Sequence, residues 1–278
     1  MRAGVVSRTD SDEALKLTQK IINYLESQGV EALVETDTAL ALELQDQNTN
    51  LQDIDGDFVI TIGGDGTILR AAMEMRSSDT PLFGVNMGRR GFLSEVSPEG
   101  IEKAVQRVIN GDYSIEESIK VKSWGLGLND VFPDALNEVL IASTLPSKML
   151  LMRLSIDGEV ITDIQADGAI ISSPTGSTAY NMSAGGSVVA PDMDALILTV
   201  ICPYSYFRSL VFPAGSTARI ELLKPRADGM VIIDGRSYIA LKPGSIIEAT
   251  VSENKTRFIR FKPFYSRIQR RLMHLQTS

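Results

Sequence analysis

The segment Gly63-Gly64-Asp65-Gly66-Thr67 sets glycines around a carboxylate, directly after the apolar run 57–62 and directly before a helical pattern running from Thr67 to Met75. Glycines let a ligand come close to the backbone, and the amides at a helix start, aided by the helix dipole, favour an anion. Phosphate is the natural occupant. A carboxylate in such a place repels phosphate unless it has its own task. Asp65 therefore binds a divalent ion such as Mg²⁺, accepts a proton from a hydroxyl nucleophile, or does both. The alternative is a tight turn in which Asp65 caps the helix. Arg70, about one helical turn beyond Gly66, lies within reach of a phosphate or else is a solvated helix arginine.

Two further clusters carry polar chemistry. Asn137 and Glu138 interrupt the apolar run from Leu136 to Ile141, where unpaired polar groups each cost roughly a few kcal/mol. Adjacent amide and carboxylate groups suit a vicinal diol such as ribose; a strand-end turn satisfied by backbone is the other reading. Asp167-Gly168 and the apolar Ala169 to Ser172 then lead into Ser173-Pro174-Thr175-Gly176-Ser177-Thr178-Ala179-Tyr180-Asn181-Met182-Ser183-Ala184-Gly185-Gly186. Such a hydroxyl-rich turn after a buried strand can hold a base, a sugar or a phosphate.

Other chemistries are excluded by what the chain lacks. Cys202 is the only cysteine and His274 the only histidine, which removes zinc sites of clustered Cys and His and leaves no good base for a Ser-His-Asp or Cys-His hydrolase. Gly-x-Ser-x-Gly spacing is missing as well. With no Gly-Lys pair and no six-residue dinucleotide glycine fingerprint, the two common nucleotide folds are disfavoured. A net charge of -8 argues against nucleic acid and anionic membranes as partners. The basic stretch from Lys255 to Arg271 reads as a strand and helix meeting an acidic surface. No apolar run approaches the ~20 residues of a membrane span, and the start of the chain does not read as a signal peptide, so a cytoplasmic location is expected.

The elements that must position these residues fall into two textures. Up to about Tyr113, short apolar runs (3–6, 57–62, 81–85) alternate with helical periodicity, the signature of parallel strands joined through helices. Asp10 and Glu13 have capping-box spacing ahead of a helix stopped by Gly29, and Ser97-Pro98-Glu99 opens another that runs to Gly111. Residues 45–55 read as a loop. Beyond Tyr113, short strands separated by turns follow one another, including a hairpin of 150–156 and 160–164 around Asp157-Gly158. The expected domains are 1–114 (α/β, with the glycine loop), 115–255 (β-rich, substrate-binding) and a segment 256–278 packing back on the first.

In joint order and spacing these segments resemble the NAD kinase family over nearly the whole chain. Gly63 to Thr67 resembles its glycine-aspartate signature, and Asn86-Met87-Gly88-Arg89-Arg90-Gly91-Phe92-Leu93 the segment that follows it. Asn137-Glu138 resembles its Asn-Glu pair, and Thr175 to Gly186 its Thr-Gly-Ser-Thr-Ala-Tyr segment with trailing Ser-Ala-Gly-Gly. The resemblance implies an α/β N-terminal domain with a parallel sheet, a β-rich C-terminal domain and a site in the cleft between them. It implies phosphoryl transfer from ATP or polyphosphate, with a divalent ion such as Mg²⁺, to the 2'-hydroxyl of the adenosine ribose of NAD, giving NADP. Asp65 would be the general base, with Gly66 and Arg70 beside the substrate and Gly63, Gly64 and Thr67 in the loop that cradles donor phosphates. Asn137 and Glu138 would hold ribose hydroxyls, Lys148 and Asp167 would line the dinucleotide pocket, and Thr178, Ala179, Tyr180, Asn181, Met182 and Ser183 would enclose adenine and ribose. A homo-oligomer, dimer or tetramer, is also implied. The sequence departs from the family pattern at Asp234-Gly235-Arg236, where Asp-Gly-Gln is common, and at Gln165 and Cys202-Pro203. Two other readings are a lipid kinase of the diacylglycerol or sphingosine type, which shares the Gly-Gly-Asp-Gly-Thr loop, and a non-catalytic NAD-binding regulator.

Overall fold

The computed structural model describes residues 1–44, 48–88, 91–128, 130–223, 228–242 and 244–274, with side chains up to residue 269. Numbered along the chain, the elements begin with β1 (Arg2–Ser7), α1 (Asp12–Ser27), β2 (Glu31–Glu35), α2 (Thr36–Ala41), β3 (Asn48–Thr49), β4 (Phe58–Gly63), α3 (Asp65–Glu74), β5 (Leu82–Asn86) and α4 (Ile101–Ile109). They continue with β6 (Ser114–Gly125), β7 (Glu138–Ser143), β8 (Leu150–Ile156), β9 (Glu159–Ala166), β10 (Gly168–Ser172), α5 (Tyr180–Ser183), β11 (Ala195–Ile201) and β12 (Ser209–Pro213). The last are β13 (Ala218–Leu222), β14 (Gly229–Ile233), β15 (Ser237–Leu241), β16 (Ile246–Arg260) and α6 (Phe264–His274). Among the described residues no helix is long and apolar enough to cross a membrane.

Two compact units result, one of residues 1–117 with the chain from Thr256 on, the other of Ser118–Lys255. In the first unit the strands run parallel in the order β3-β2-β1-β4-β5, and Phe258 of β16 pairs with Leu82 of β5. β4 is buried at every position, as a central parallel strand covered on both faces must be. Its core joins Val5, Ile60, Ile62 and Phe83 of the sheet to Ile21 and Leu25 of α1 and to Ile101, Val105 and Val108 of α4. Fully burying each such side chain contributes about 1.5–3 kcal/mol. The strand order turns back between β1 and β4, and ligands of open α/β sheets gather at the carboxyl ends of strands at such a reversal. Gly63 is the last residue of β4.

The second unit is antiparallel. One sheet has the order β12-β11-β10-β7-β14-β15, and the other joins β16, up to Lys255, to β13, β8 and β9. The β8–β9 hairpin turns on Asp157 (φ 50°) and Gly158 (φ 82°), both left-handed, as a two-residue turn matched to strand twist requires.

Several local expectations change. Helix α1 is capped by Ser11, whose hydroxyl accepts the Ala14 N–H at 3.3 Å, not by Asp10. Asp10 is drawn off by Arg8, at 2.7 and 2.8 Å. The segment expected as a loop at 45–55 contains β3 and a 3₁₀ turn at Leu51–Asp53, while residues 45–47 lie outside the described residues. Before α4, Pro98–Gly100 forms a 3₁₀ turn with no side-chain cap from Ser97.

Candidate active site

The first cluster is built by β4 and α3. Gly63 packs so closely on Thr67 that a Cβ there would run into its hydroxyl, whereas added Cβ atoms on Gly64 and Gly66 would meet open space. At those two positions, unlike at Gly63, packing within the protein does not account for the missing side chain. Gly64 is the helix N-cap residue and offers no side chain, and Asp65 does not cap the helix either. Its carboxylate instead accepts the Phe92 N–H at 2.7 Å and the Leu93 N–H at 3.2 Å. Gly91 allows this approach, because a Cβ there would stand 3.0 Å from Asp65 Oδ1. A carboxylate has about four lone-pair sites, so two N–H bonds fix its plane and leave capacity for a substrate hydroxyl or a cation.

The segment following the loop is tied to it: Met87 donates its N–H to the Gly63 carbonyl at 2.8 Å, and Gly88 to Asn86 Oδ1 at 3.0 Å. Arg89 and Arg90 lie outside the described residues. Arg70 is bound by Glu35, at 3.0 and 3.2 Å, and by Asp37 at 3.3 Å. Its donors are taken up by carboxylates rather than turned to an anion, because Glu35, nearly inaccessible, needs a buried counter-charge. Glu35 is subject first to burial, which raises it. The Arg70 and Thr38 hydrogen bonds outweigh that and hold the carboxyl below its ordinary range.

The second cluster is built by β7, β10 and β14. Glu138 pairs in register with Ser172, and the chain after β10 wraps the preceding residue: Ser173 donates its N–H to the Asn137 carbonyl at 2.9 Å. Gly176 sits directly against that carbonyl, where no Cβ fits. At the opposite edge of β7, the Asp234 carboxylate accepts the N–H groups of Leu136, Asn137 and Glu138 at 2.7, 2.8 and 2.9 Å. Asp234 adopts φ 47° and Gly235 φ 65°, the tight turn between β14 and β15 that aims this side chain.

Asn137 and Glu138 are thus fixed by their backbones, and their side chains are left over. Asn137 Oδ1 and Glu138 Oε2 are buried without a hydrogen-bond partner. Burial, and next the charge of Asp234, push the Glu138 carboxyl up from 4.5 to about 8. Burial raises Asp234 too, only partly offset by its three backbone N–H bonds and Lys120; those bonds favour a charged Asp234 while Glu138 Oε2 has no partner, so of the two Glu138 is the better holder of a proton. Glu138 is therefore both donor and acceptor at neutral pH, which suits a hydroxyl-bearing ligand. Lys120 is itself buried, and desolvation lowers it against the pull of Asp134 and Asp234.

The remaining expected residues divide by role. Asn181 is consumed internally, donating to the carbonyls of Ser177 and Ser187 at 3.0 Å each and accepting the Thr199 hydroxyl at 2.6 Å. Thr178 donates to the Thr175 carbonyl at 3.2 Å. These two shape the turn. Tyr180 and Ser183 are exposed, and Ala179 and Met182 half-buried. Lys148, in the turn between β7 and β8, and Asp167, between β9 and β10, have exposed side chains. Gln165, Cys202 and Arg236 are solvent-facing as well. Sequence reasoning missed Lys120 and the role of Asp234 beneath Asn137-Glu138; an Asp-Gly pair between two apolar runs was the available signal for the latter.

The glycine loop with its immobilised carboxylate in one unit, and the pair of buried, unsatisfied polar groups in the other, are features that a phosphotransferase acting on a nucleotide requires. The model of the ATP-NAD kinase N-terminal domain matches residues 3–113, and that of the ATP-NAD kinase C-terminal domain matches 136–261. The NAD kinase of Methanothermobacter thermautotrophicus is 36% identical over 276 residues, covering 98% of this chain and 96% of its own, and that of Pyrococcus furiosus 40% over 264, covering 94% of each. The chain belongs to the NAD kinase family and is an enzyme of that family. The crystal structure of an NAD kinase from Archaeoglobus fulgidus in complex with ATP superimposes with a TM-score of 0.80 at 29% identity over 99% of both chains. Yeast NADH kinase complexed with NADH shares the fold, with a TM-score of 0.87 at 24% identity over 98% of this chain and 87% of that one.

Proposed function

We propose that this enzyme transfers the terminal phosphoryl group of ATP to the 2'-hydroxyl of the adenosine ribose of NAD, with Asp65 as general base. The observation that carries the reading is the pair of buried, partnerless oxygens, Asn137 Oδ1 and Glu138 Oε2, which answer a ligand rich in hydroxyls. Asp65 accepts the proton of the hydroxyl as the ribose oxygen bonds to phosphorus; the bond from phosphorus to the bridging oxygen breaks, and ADP leaves. Phosphoryl transfer has a loose transition state, so positioning and charge neutralisation supply most of the acceleration. Gly63, Gly64, Gly66 and Thr67 present the loop to the donor phosphates. Asn137 and Glu138 take ribose hydroxyls, Lys148 and Asp167 line the dinucleotide, and the Thr178 to Ser183 segment takes adenine and ribose.

The donor's charge calls for a divalent ion. Among the described residues no group of three or more His, Cys, Asp or Glu could form a cage for one. Mg²⁺ bound through substrate phosphates, waters and one or two carboxylates needs no such cage. Asp65, with lone pairs left after its two amide bonds, is the carboxylate that fits. The ion would neutralise charge developing on the phosphates. ATP as donor is supported by the 29% identical relative crystallised with it. Family resemblance further supports a cytoplasmic homo-oligomer, a dimer or tetramer, which light scattering tests.

The deciding experiment incubates the protein with NAD, Mg²⁺ and either ATP or polyphosphate and measures NADP. NADP from ATP is expected; none from either donor overturns the reading. Asp65→Asn is expected to lower turnover ~10²-fold or more, and undiminished turnover overturns the base assignment.

A further inference from the structure

We propose that Arg260 is a positioning residue for Asp65, acting through the backbone of Leu93, whose N–H and carbonyl lie in successive peptide groups; this rests on the reading of Asp65 given above. Arg260 ends β16, is 4% exposed, and stacks over the Phe258 ring with its guanidinium carbon 4.4 Å from the centroid. It donates to the Leu93 carbonyl at 2.8 Å and to Glu116 at 2.8 Å, and lies 3.4 Å from Glu95. The N–H of the same Leu93 donates to Asp65 Oδ1, and that of Phe92 to Oδ2. One face of the Leu93 residue thus holds the carboxylate while its carbonyl is held by a buried cation.

The surroundings fix that cation from every side. Glu116 also accepts from Arg267, and Glu95 accepts the Phe261 N–H at 2.9 Å while its own N–H donates to the Gly84 carbonyl at 2.9 Å. Two carboxylates face two guanidinium groups, so the cluster is neutral. Burying such a set contributes little net stability compared with apolar packing of the same volume, whereas it specifies one geometry well. The geometry it specifies is that of residues 92–95, whose first two amides set the plane of Asp65. An error of about 1 Å in a reacting group costs on the order of 100-fold in rate, so a remote clamp of this kind is worth having.

The test measures Arg260→Met and Arg260→Lys in the wild-type and Asp65→Asn backgrounds, together with amide hydrogen exchange of the nucleotide-free protein. In the wild-type background, Arg260→Met is expected to lower kcat on the order of 10- to 100-fold with KM for NAD within about twofold, and Arg260→Lys, which keeps one donor, to fall between. In the Asp65→Asn background Arg260→Met is expected to cost nothing further, because residues acting through one another are not additive. An equal loss in both backgrounds overturns the proposal, since a merely structural role is felt in each. Exchange at Phe92 and Leu93 should quicken in Arg260→Met while Asn86 and Val96 keep wild-type rates; unchanged exchange at 92 and 93 overturns it. That arm needs no turnover, so it decides even if the wild-type protein makes no NADP, which would sink the kinase reading alone. Should Arg260→Met not fold, Arg260→Lys decides: faster exchange at both amides with lower kcat supports the proposal, and wild-type behaviour in both overturns it.

Discussion

Glu138 and Asp234 are joined twice, the Glu138 N–H donating to the Asp234 carboxylate at 2.9 Å and the Asp234 N–H to the Glu138 carbonyl at 3.1 Å. This holds two acidic side chains together in a buried place, and only one of them has the hydrogen bonds that sustain a charge. The consequence is a protonated Glu138 at the start of β7.

That proton makes stability fall as pH rises. Below about 4.5 both folded and unfolded chains keep it; between 4.5 and about 8 the folded chain holds a proton that the unfolded chain has released, so each step upward in pH favours unfolding. The full loss, on the order of 3–5 kcal/mol, is reached above about 8. Glu138→Gln removes the titration. Its melting temperature should match the wild type near pH 4.5 and exceed it by several degrees at pH 8.5, at roughly 2–4 °C per kcal/mol for a chain of this size. Thermal melts across that range check it; a difference that does not grow with pH contradicts the assignment.

How much of this was legible in the sequence follows from how far apart the partners lie. The glycine loop is written in five consecutive residues, because a strand end, a bare turn and a helix start are all local. Asn137-Glu138 was visible as polar residues in an apolar run. Their support was not: Asp234 lies 97 residues from Asn137 and reaches it only through the pairing of β14 with β7. Arg260 lies 167 residues from Leu93. The exposed polar run Glu253-Asn254-Lys255 lies inside the single strand β16, and nothing in one chain's periodicity tells such a solvated stretch of strand from a turn. Strand β12 carries little apolar signal, because only Phe212 of its five residues is buried. Asn181 is implied as a ligand neighbour by the family resemblance alone, and its side chain closes the turn; a polar residue in a glycine-rich turn has the same sequence signature in either role.

Two kinds of glycine, one in each unit, should separate cleanly on substitution. Gly64 has φ −112°, which any residue adopts, and a Cβ there meets nothing. Gly64→Ala should therefore leave the melting temperature unchanged or slightly raised, as loss of unfolded-state freedom is worth ~0.4–1 kcal/mol, while the methyl blocks close approach of the donor phosphates and raises KM for ATP at least about tenfold. Gly176→Ala drives a methyl into the Asn137 carbonyl and should destabilise by more than about 3 kcal/mol. Melts and steady-state kinetics on both variants check the pair; a cold-sensitive or unfolded Gly64→Ala would mean the loop is packed, not bare.

Arg70 tests whether a basic residue near a phosphate loop serves the ligand or the fold. With Glu35 holding both ends of its guanidinium, its first duty is to a carboxylate that is only 3% exposed. Arg70→Met leaves Glu35 charged and unpaired in the interior, which typically costs 3–5 kcal/mol, about the scale expected here. The sign with pH is the reverse of that for Glu138. Glu35 is held below its ordinary range, so its contribution is present above about 4.5 and is lost as pH falls through the folded value. The stability gap between wild type and Arg70→Met should therefore be full at pH 7 and shrink below pH 4, while KM for ATP stays within about twofold. Denaturant unfolding at several pH values measures the first and initial rates at varied ATP the second. A KM that rises tenfold with stability intact would return Arg70 to the donor phosphates, and Glu35 would then be the residue that parks it between turnovers.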